Sequence, residues 1–315
     1  MRLAILIPCF NEEATIGEVV RDFAAALPDA IIYVYDNNST DRTGSLARNA
    51  GAIVRRETRQ GKGNVVSRMF ADIDADIYIL VDGDGTYDAA SAPRMIEQLV
   101  DGNLDMVNAS RVATNRSAYR PGHQFGNVLL TGLVARIFGR HFSDMLSGYR
   151  AFSRRFVKSF PALISGFEIE TALTIHALEL RMPVGEMETP YKERPIGSAS
   201  KLHTFRDGFR ILWMILRLVE EERPLHLLGL VAFLLALTSF GLGYPVIATF
   251  LQTGLVPRLP TAVLSASLMV LACLSLVSGL IIDMVTLGRR ETKRLFYLTL
   301  PSTAALENKV RVSNE

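Results

Sequence analysis

Over the first two hundred residues, short apolar runs alternate with stretches whose apolar positions recur at helical spacing. LAILIP begins at Leu3 and gives way to a helix from about Glu12 to Ala26; AIIYVYD at 30–36 is followed by a helix through Leu46. A further helix from about Gly63 to Ile73 leads into DIYILVDGDG. Runs of the first kind read as strands, and a βαβα succession predicts an α/β fold with a mostly parallel sheet. In such sheets the ligand crevice lies beyond the carboxyl ends of the strands.

The pattern changes after residue 200. Leu202, Phe205, Phe209, Leu212, Leu216 and Val219 recur at spacings of three and four with Arg206, Arg210 and Arg217 between them, which predicts an amphipathic helix over 201–224. Such a helix lies on a membrane surface or faces the core of the preceding domain. Leu225–Leu251 and Ala262–Gly288 then consist mostly of Leu, Val, Ala and Ile. At ~1.5 Å per residue each reaches roughly 40 Å, enough to span a bilayer with some tilt. The linker TGLVPRLPT is too short for a domain and carries two prolines, so the pair reads as a hairpin with both ends on one side. Arg217 and Arg223 precede it and Arg289, Arg290, Lys293 and Arg294 follow, against Arg258 alone in the far loop. The positive-inside rule then puts both flanks in the cytoplasm. Asp283, about one turn from the end of the second span, is expected at the interface. Gly229, Gly241 and Gly243 permit close helix packing, so a homo-oligomer is an open expectation. The expected organisation is therefore a domain at 1–200, a juxtamembrane helix at 201–224, a hairpin at 225–288 and a cytosolic tail at 289–315.

Composition sharpens this division. The 315 residues carry 34 basic and 32 acidic side chains, which excludes a disordered tail protein and a nucleic-acid binder driven by net charge. Of all these charges only Arg258 and Asp283 fall within 225–288. Cys9 and Cys273 are too far apart in sequence and context for a disulfide framework or zinc-ligand spacing, and a reducing compartment fits. The opening MRLAILIPCFNEE has no long apolar leader or cleavage site, so the first domain is expected in the cytosol.

Three polar clusters close predicted strands: CFNEE at 9–13, DNNSTD at 36–41 and DGDG at 82–85. One such turn is ordinary loop chemistry, since Asp, Asn and Gly favour turns and helix caps. Three on one sheet edge, one with two carboxylates flanking a glycine, point to a metal-plus-nucleotide site. Asp82 and Asp84 offer hard oxygens suited to Mg²⁺ or Mn²⁺ shared with a diphosphate. GKG at 61–63 lacks the Ser/Thr and upstream Gly of a P-loop, and no GxGxxG follows a strand, which removes the P-loop kinase and dehydrogenase readings.

PCFNEE, YDNNSTDRT, QGKG, VDGDG, ASR, DMLSGYRAF and ERPIGSASKL occur in the order that resembles the family 2 glycosyltransferases with a GT-A fold. Specifically they look like the polyprenyl-phosphate group, the dolichol-phosphate mannosyltransferase-like enzymes. The resemblance covers about residues 2–215, and the hairpin is similar to that of bacterial members with two C-terminal spans. It implies a metal-dependent enzyme of the inner bacterial membrane that transfers a sugar, with inversion, from a nucleotide-diphosphate sugar to a polyprenyl phosphate. By the same resemblance Pro8, Glu12 and Asp36 hold the base and ribose, Lys62 belongs to the donor site, and Asp82 and Asp84 bind Mg²⁺ or Mn²⁺. Arg111, Arg120, Arg194 and Lys201 supply positive charge to the donor diphosphate and the acceptor phosphate. Asp144 and Ser147 line the acceptor side, with Asp144 orienting the acceptor or taking its proton. Glu168 and Glu170 are read as helix-start acids. Thr86 stands where the family often has Gln, and GSASK replaces the GxSK of the mannosyltransferases. Two other functions share some of these features. A processive polysaccharide synthase would carry a QxxRW run, whereas the one tryptophan here, Trp213, sits in ILWMIL. A non-catalytic nucleotide-binding scaffold would not need both D-x-D carboxylates.

Overall fold

The computed structural model describes residues 1–113, 132, 142–161, 169–192 and 224–305. The chain forms two compact units, Met1–Thr204 with Lys293–Glu315, and Phe205–Thr292.

The described strands of the first unit are β1 (Leu3–Cys9), β2 (Ile31–Asp36), β3 (Ile53–Arg56), β4 (Ile77–Leu80), β5 (Met106–Ala113), β6 (Arg150–Ser153) and β7 (Val184–Tyr191). They form one sheet in the order β3-β2-β1-β4-β6-β5-β7. The expected mostly parallel sheet is present, and β6 is the strand that runs antiparallel to its neighbours β4 and β5. Helices α1 (Ile16–Ala26), α2 (Thr43–Asn49), α3 (Lys62–Asp72), α4 (Ala92–Asp101), α5 (Arg154–Ser159) and α6 (Ile169–Glu179) connect and cover it.

Burial explains these elements. Ile5, Leu6 and Ile7 of β1 are fully buried, as a strand covered on both faces requires. α1 turns Ile16, Val19, Val20 and Phe23 inward at the spacing of a single helical face. Each such side chain contributes about 1.5–3 kcal/mol of burial, more than the few tenths by which intrinsic helix propensities differ. α5 begins where the Ser153 hydroxyl accepts a bond from the Phe156 amide, and its Phe156 ring stacks on Phe152 at 4.5 Å.

The first unit also contains residues that follow the apolar segment. Lys293 pairs with both oxygens of Glu179 at 2.9 and 3.1 Å, and Arg294 donates to the Leu180 carbonyl. Tyr297 donates its hydroxyl to Asp105 Oδ2 at 2.7 Å, while Ser153 Oγ and Arg155 Nε donate to Oδ1 at 2.6 and 2.5 Å. Asp105 is wholly buried, so these donors replace its water, and Arg155 also covers the Tyr297 ring at 4.9 Å.

The second unit holds α7 (Pro224–Thr253) and most of α8 (Leu259–Thr299), both long and apolar enough to cross a membrane. Their large apolar side chains, Phe233, Leu237, Phe240 and Leu274 among them, are exposed. The helices meet where Ser239 Oγ donates to the Ser265 carbonyl at 2.8 Å and Ser265 Oγ to that of Ser239 at 2.9 Å. A Cβ on Gly243 would stand 2.7 Å from Ser265 Oγ, so this glycine serves the hairpin's own contact. The amphipathic helix expected over 201–224 lies outside the described residues, which resume at Pro224.

Candidate active site

The sheet topology gathers the sequence motifs. β1, β2, β3, β4 and β5 end on one edge, and because β6 runs the other way, its leading loop arrives at that same edge. Thus the acidic turns after β1, β2 and β4, Lys62 beyond β3, Arg111 near the end of β5, and Asp144 and Ser147 before β6 share one rim.

The three acidic turns are bonded to one another. Asn11 donates its amide to Ser39 Oγ at 3.0 Å and accepts the Thr40 amide on its side chain at 2.9 Å. The Glu12 amide donates to Thr43 Oγ1 at 2.8 Å, and the Arg42 amide donates to Glu13 Oε2 at 3.1 Å. Thr15 Oγ1 reaches the third turn, donating to the Gly83 carbonyl at 2.7 Å. Asp36 accepts the Ser39 amide at 3.0 Å, and Pro8 lies buried in β1 opposite Tyr35. Gly83 is required by closeness, since a Cβ there would sit 2.6 Å from Cys9 Sγ. The Cys9 thiol is pushed well up, first by burial and then by the Glu12, Asp82, Asp36 and Asp84 carboxylates around it. Carboxylates from all three turns therefore share one neighbourhood.

Within the third turn the two aspartates differ. Asp84 is buried, and its Oδ1 accepts the Thr86 hydroxyl at 2.6 Å and the Thr86 amide at 3.2 Å. Asp82 pairs through Oδ1 with Lys62 Nζ at 2.5 Å, and Lys62 pairs equally closely with Glu170 Oε1. Burial would lower the Lys62 ammonium, but Asp82 and Glu170 hold it above the usual lysine range. Glu170, read from sequence as a helix-start acid, does lie in the first turn of α6 and also reaches the rim. Among the described residues no three His, Cys, Asp or Glu side chains group as a complete metal cage. Two hard carboxylates in one turn do fit a Mg²⁺-like or Mn²⁺-like ion whose remaining ligands come from a diphosphate and water.

The loop before β6 is held from several sides. Arg111 forms a two-point pair with Asp144, Nε to Oδ2 at 2.6 Å and Nη2 to Oδ1 at 2.9 Å, and lies over the Tyr191 ring at 5.4 Å. Burial would raise the Asp144 carboxyl, yet the Arg111 guanidinium keeps it below the usual aspartate range, which makes it a weaker proton acceptor. Glu186 accepts the Ser143 and Asp144 amides and the Asn108 side chain. Arg150, fully buried, donates to the carbonyls of Met145 at 2.6 Å and Ser147 at 3.0 Å and to Thr174 Oγ1 at 2.8 Å. Burial brings Arg150 down to about 10, still protonated near neutrality. Ser147 is buried with its hydroxyl on the Tyr149 amide at 3.3 Å, and the Gly148 amide donates to Tyr87 Oη at 2.9 Å.

The structure thus brings together Pro8, Glu12, Asp36, Lys62, Asp82, Asp84, Arg111, Asp144 and Ser147, while Arg120, Glu168, Arg194 and Lys201 lie outside the described residues. A cavity of about 370 Å³ opens between α2 and β3, lined by Asp36, Asp41, Arg48 and Arg56 among others; it reaches the second acidic turn and not Asp82 or Asp84. Sequence reading passed over Asn37, which donates to the Glu57 and Arg59 carbonyls and accepts the Gly61 amide, holding the QGKG turn in place. It also passed over Glu186 and Arg150. Asn37 stood in a quoted motif, whereas an isolated Glu in a strand carries no signal of its own.

A family model described as "Glycosyl transferase family 2" matches residues 4–160. The glycosyltransferase AglJ of Haloferax volcanii is 33% identical over 93% of this chain and 97% of its own length. A dolichyl-phosphate hexose transferase of the same organism is 27% identical over 70% of this chain and 95% of its own. Among solved structures, glucosyl-3-phosphoglycerate synthase from Mycobacterium tuberculosis with phosphoglyceric acid aligns with a TM-score of 0.53 at 25% identity, covering 62% of this chain and 73% of that one. That synthase has also been crystallised with Mn²⁺, UDP-glucose and phosphoglyceric acid.

Proposed function

The chain belongs to glycosyl transferase family 2, and from that premise we propose that it transfers a sugar, with inversion, from a nucleotide-diphosphate sugar to a polyprenyl phosphate such as undecaprenyl phosphate. One observation carries the reading: a carboxylate pair and a clamped arginine share one sheet edge in a chain that also has two helices fit to cross a membrane. The alignment with AglJ covers too much of the chain to omit those helices. The relative named as a dolichyl-phosphate hexose transferase supports a lipid-phosphate acceptor. The basic flanks of the apolar helices support a catalytic domain on the cytosolic side of the membrane, and we take that membrane to be a bacterial inner membrane.

The chemistry follows from charge. A phosphate monoester has its second pKa near ~6 and is anionic at neutral pH, so attack on the anomeric carbon needs no strong base. The task is to hold two anions together and to stabilise the leaving diphosphate. Pro8, Glu12 and Asp36 take the base and ribose. Asp82 and Asp84 would hold Mg²⁺ or Mn²⁺, which when bound supplies positive charge where the diphosphate departs. Arg111 presents a guanidinium to phosphate oxygens, fixed by Asp144, whose lowered carboxyl suits it to that clamp better than to accepting a proton. By the family resemblance Arg120, Arg194 and Lys201, which lie outside the described residues, supply further positive charge to the two phosphates, and the Ser147 loop borders the acceptor.

The test is product formation. Purified full-length protein is incubated with undecaprenyl phosphate, Mg²⁺ or Mn²⁺ and a panel of labelled nucleotide sugars, and extracted lipid is counted. A glycolipid from at least one donor is expected, and Asp84→Ala should abolish it in a protein that still unfolds cooperatively, at an unfolding temperature lowered by the lost acceptor of the Thr86 hydroxyl and amide. Hydrolysis or binding across the panel without glycolipid, or full turnover in Asp84→Ala, overturns the reading.

A further inference from the structure

The partly buried contact between Lys62, Asp82 and Glu170 joins the QGKG turn, the D-x-D turn and the start of α6. One ammonium stands 2.5 Å from each of two carboxylates, with the Lys62, Asp82 and Glu170 side chains only 16, 26 and 12% exposed. Asp82 Oδ2 is boxed on its other side by Gly148, where a Cβ would lie 2.4 Å away. Asp82 therefore already has a cation on one oxygen and backbone against the other. A divalent ion bound to Asp82 would face this ammonium across a short distance in a poorly hydrated setting, so the two repel if both stay. A diphosphate changes the balance, because it brings enough negative charge to hold both cations.

Resting on the glycosyltransferase reading above, we propose that Lys62 is a resident counter-cation of Asp82 that passes to the donor diphosphate as the metal arrives, with Glu170 as the anchor that retains it. Metal and diphosphate then bind as partners: the ion alone competes with Lys62, and the diphosphate gives Lys62 a new acceptor. Glu170 acts through Lys62 and is a positioning residue. The arrangement would also keep Asp82 paired whenever no donor is present, which spares the fold an unpaired carboxylate at a site that is partly dry.

The test measures Mn²⁺ retained with the full-length protein in detergent by equilibrium dialysis, with and without inorganic pyrophosphate as the diphosphate probe, the free Mn²⁺–pyrophosphate complex equilibrating across the dialysis membrane. Wild type should bind Mn²⁺ about ten-fold more tightly with pyrophosphate than without it. Lys62→Met should bind Mn²⁺ alone about ten-fold more tightly than wild type and lose most of the pyrophosphate enhancement. Glu170→Gln keeps the ammonium and concentrates it on Asp82, so Mn²⁺ alone should bind several-fold more weakly. Opposite signs for the two variants separate exchange from a structural role, which would weaken both. No gain in Lys62→Met, or an undiminished enhancement, overturns the proposal. If Lys62→Met does not fold, Glu170→Gln decides, and unchanged or tighter Mn²⁺ binding there overturns it equally. An Asp84→Ala control that binds Mn²⁺ as wild type does overturns the metal reading itself, whereas loss in that control without gain in Lys62→Met overturns only the exchange.

Discussion

Asp144→Asn tests whether this carboxylate is a clamp or a base. The change keeps the shape of the side chain and removes the charge facing Arg111, whose Nε and Nη2 lie 2.6 and 2.9 Å from its oxygens. The side chains of the pair are 19 and 7% exposed, so the arginine left behind cannot simply return to water. Removing one member of a buried pair costs about 3–5 kcal/mol. The Tyr191 ring still faces the guanidinium, which places the cost near the lower bound, about 3 kcal/mol. For a domain of about 200 residues that is a fall of roughly 6–12 °C in unfolding temperature. The pH dependence is the sharper measurement. Because Arg111 holds the folded carboxyl below the usual aspartate value, the paired form is stabilising at all pH above that usual value and is lost as pH falls through the folded one. Thermal unfolding of wild type and Asp144→Asn should therefore differ by a constant amount from pH 5 to about pH 8 and converge only below about pH 4. Turnover should fall on the order of 100-fold through misplacement of Arg111, without a new limb in the pH–rate profile above pH 5. A stability gap that closes between pH 7 and 5, or a wild-type rate that titrates there and goes flat in Asp144→Asn, would mean that the carboxyl takes up a proton in the working range and that the clamp is wrong.

Tyr297→Phe keeps the ring beside Arg155 and deletes one donor from the buried Asp105 carboxylate, which should cost about 1.5–3 kcal/mol in chemical unfolding of the full-length protein. An unchanged midpoint would show that Tyr297 does not bear on Asp105. His176 is buried beside Ser159 and two Phe rings, and burial first, then Lys293, lowers it to about 3. The unfolded chain binds a proton below about 6.5 and the fold does not, so stability should fall by about 1.6 kcal/mol between pH 6.5 and 5; His176→Leu should remove that slope, and a slope that persists refutes it.

The first half of the sheet was legible because each strand is a continuous apolar run followed by a polar turn, so period and punctuation agree. β3 was not, since Ile53–Arg56 ends in two arginines on an edge strand with little burial to mark it. The β5–β6–β7 half depends on an antiparallel insertion set by long-range pairing, and no local pattern announces a reversal of direction. The acidic turns could be named from sequence because their residue types are chemically unusual after a strand. Their partners could not: Glu170 and Glu186 reach the rim only because α6 and β7 fold back against it, and a lone glutamate looks the same in a solvated helix. Lys293 and Arg294 counted in the sequence only as charges beside a span, although both bond to the α/β unit.

That last contact has a consequence for biogenesis. Lys293, Arg294 and Tyr297 leave the ribosome only after the whole apolar hairpin has been made, yet Glu179, the Leu180 carbonyl and Asp105 belong to parts of the chain synthesised well before it. A nascent catalytic domain must wait with the Asp105 carboxylate lacking the Tyr297 hydroxyl and Glu179 lacking the Lys293 contact. Final consolidation is therefore tied to completion of the hairpin, and a chain truncated inside it would be left as an unfinished domain, open to quality-control proteolysis.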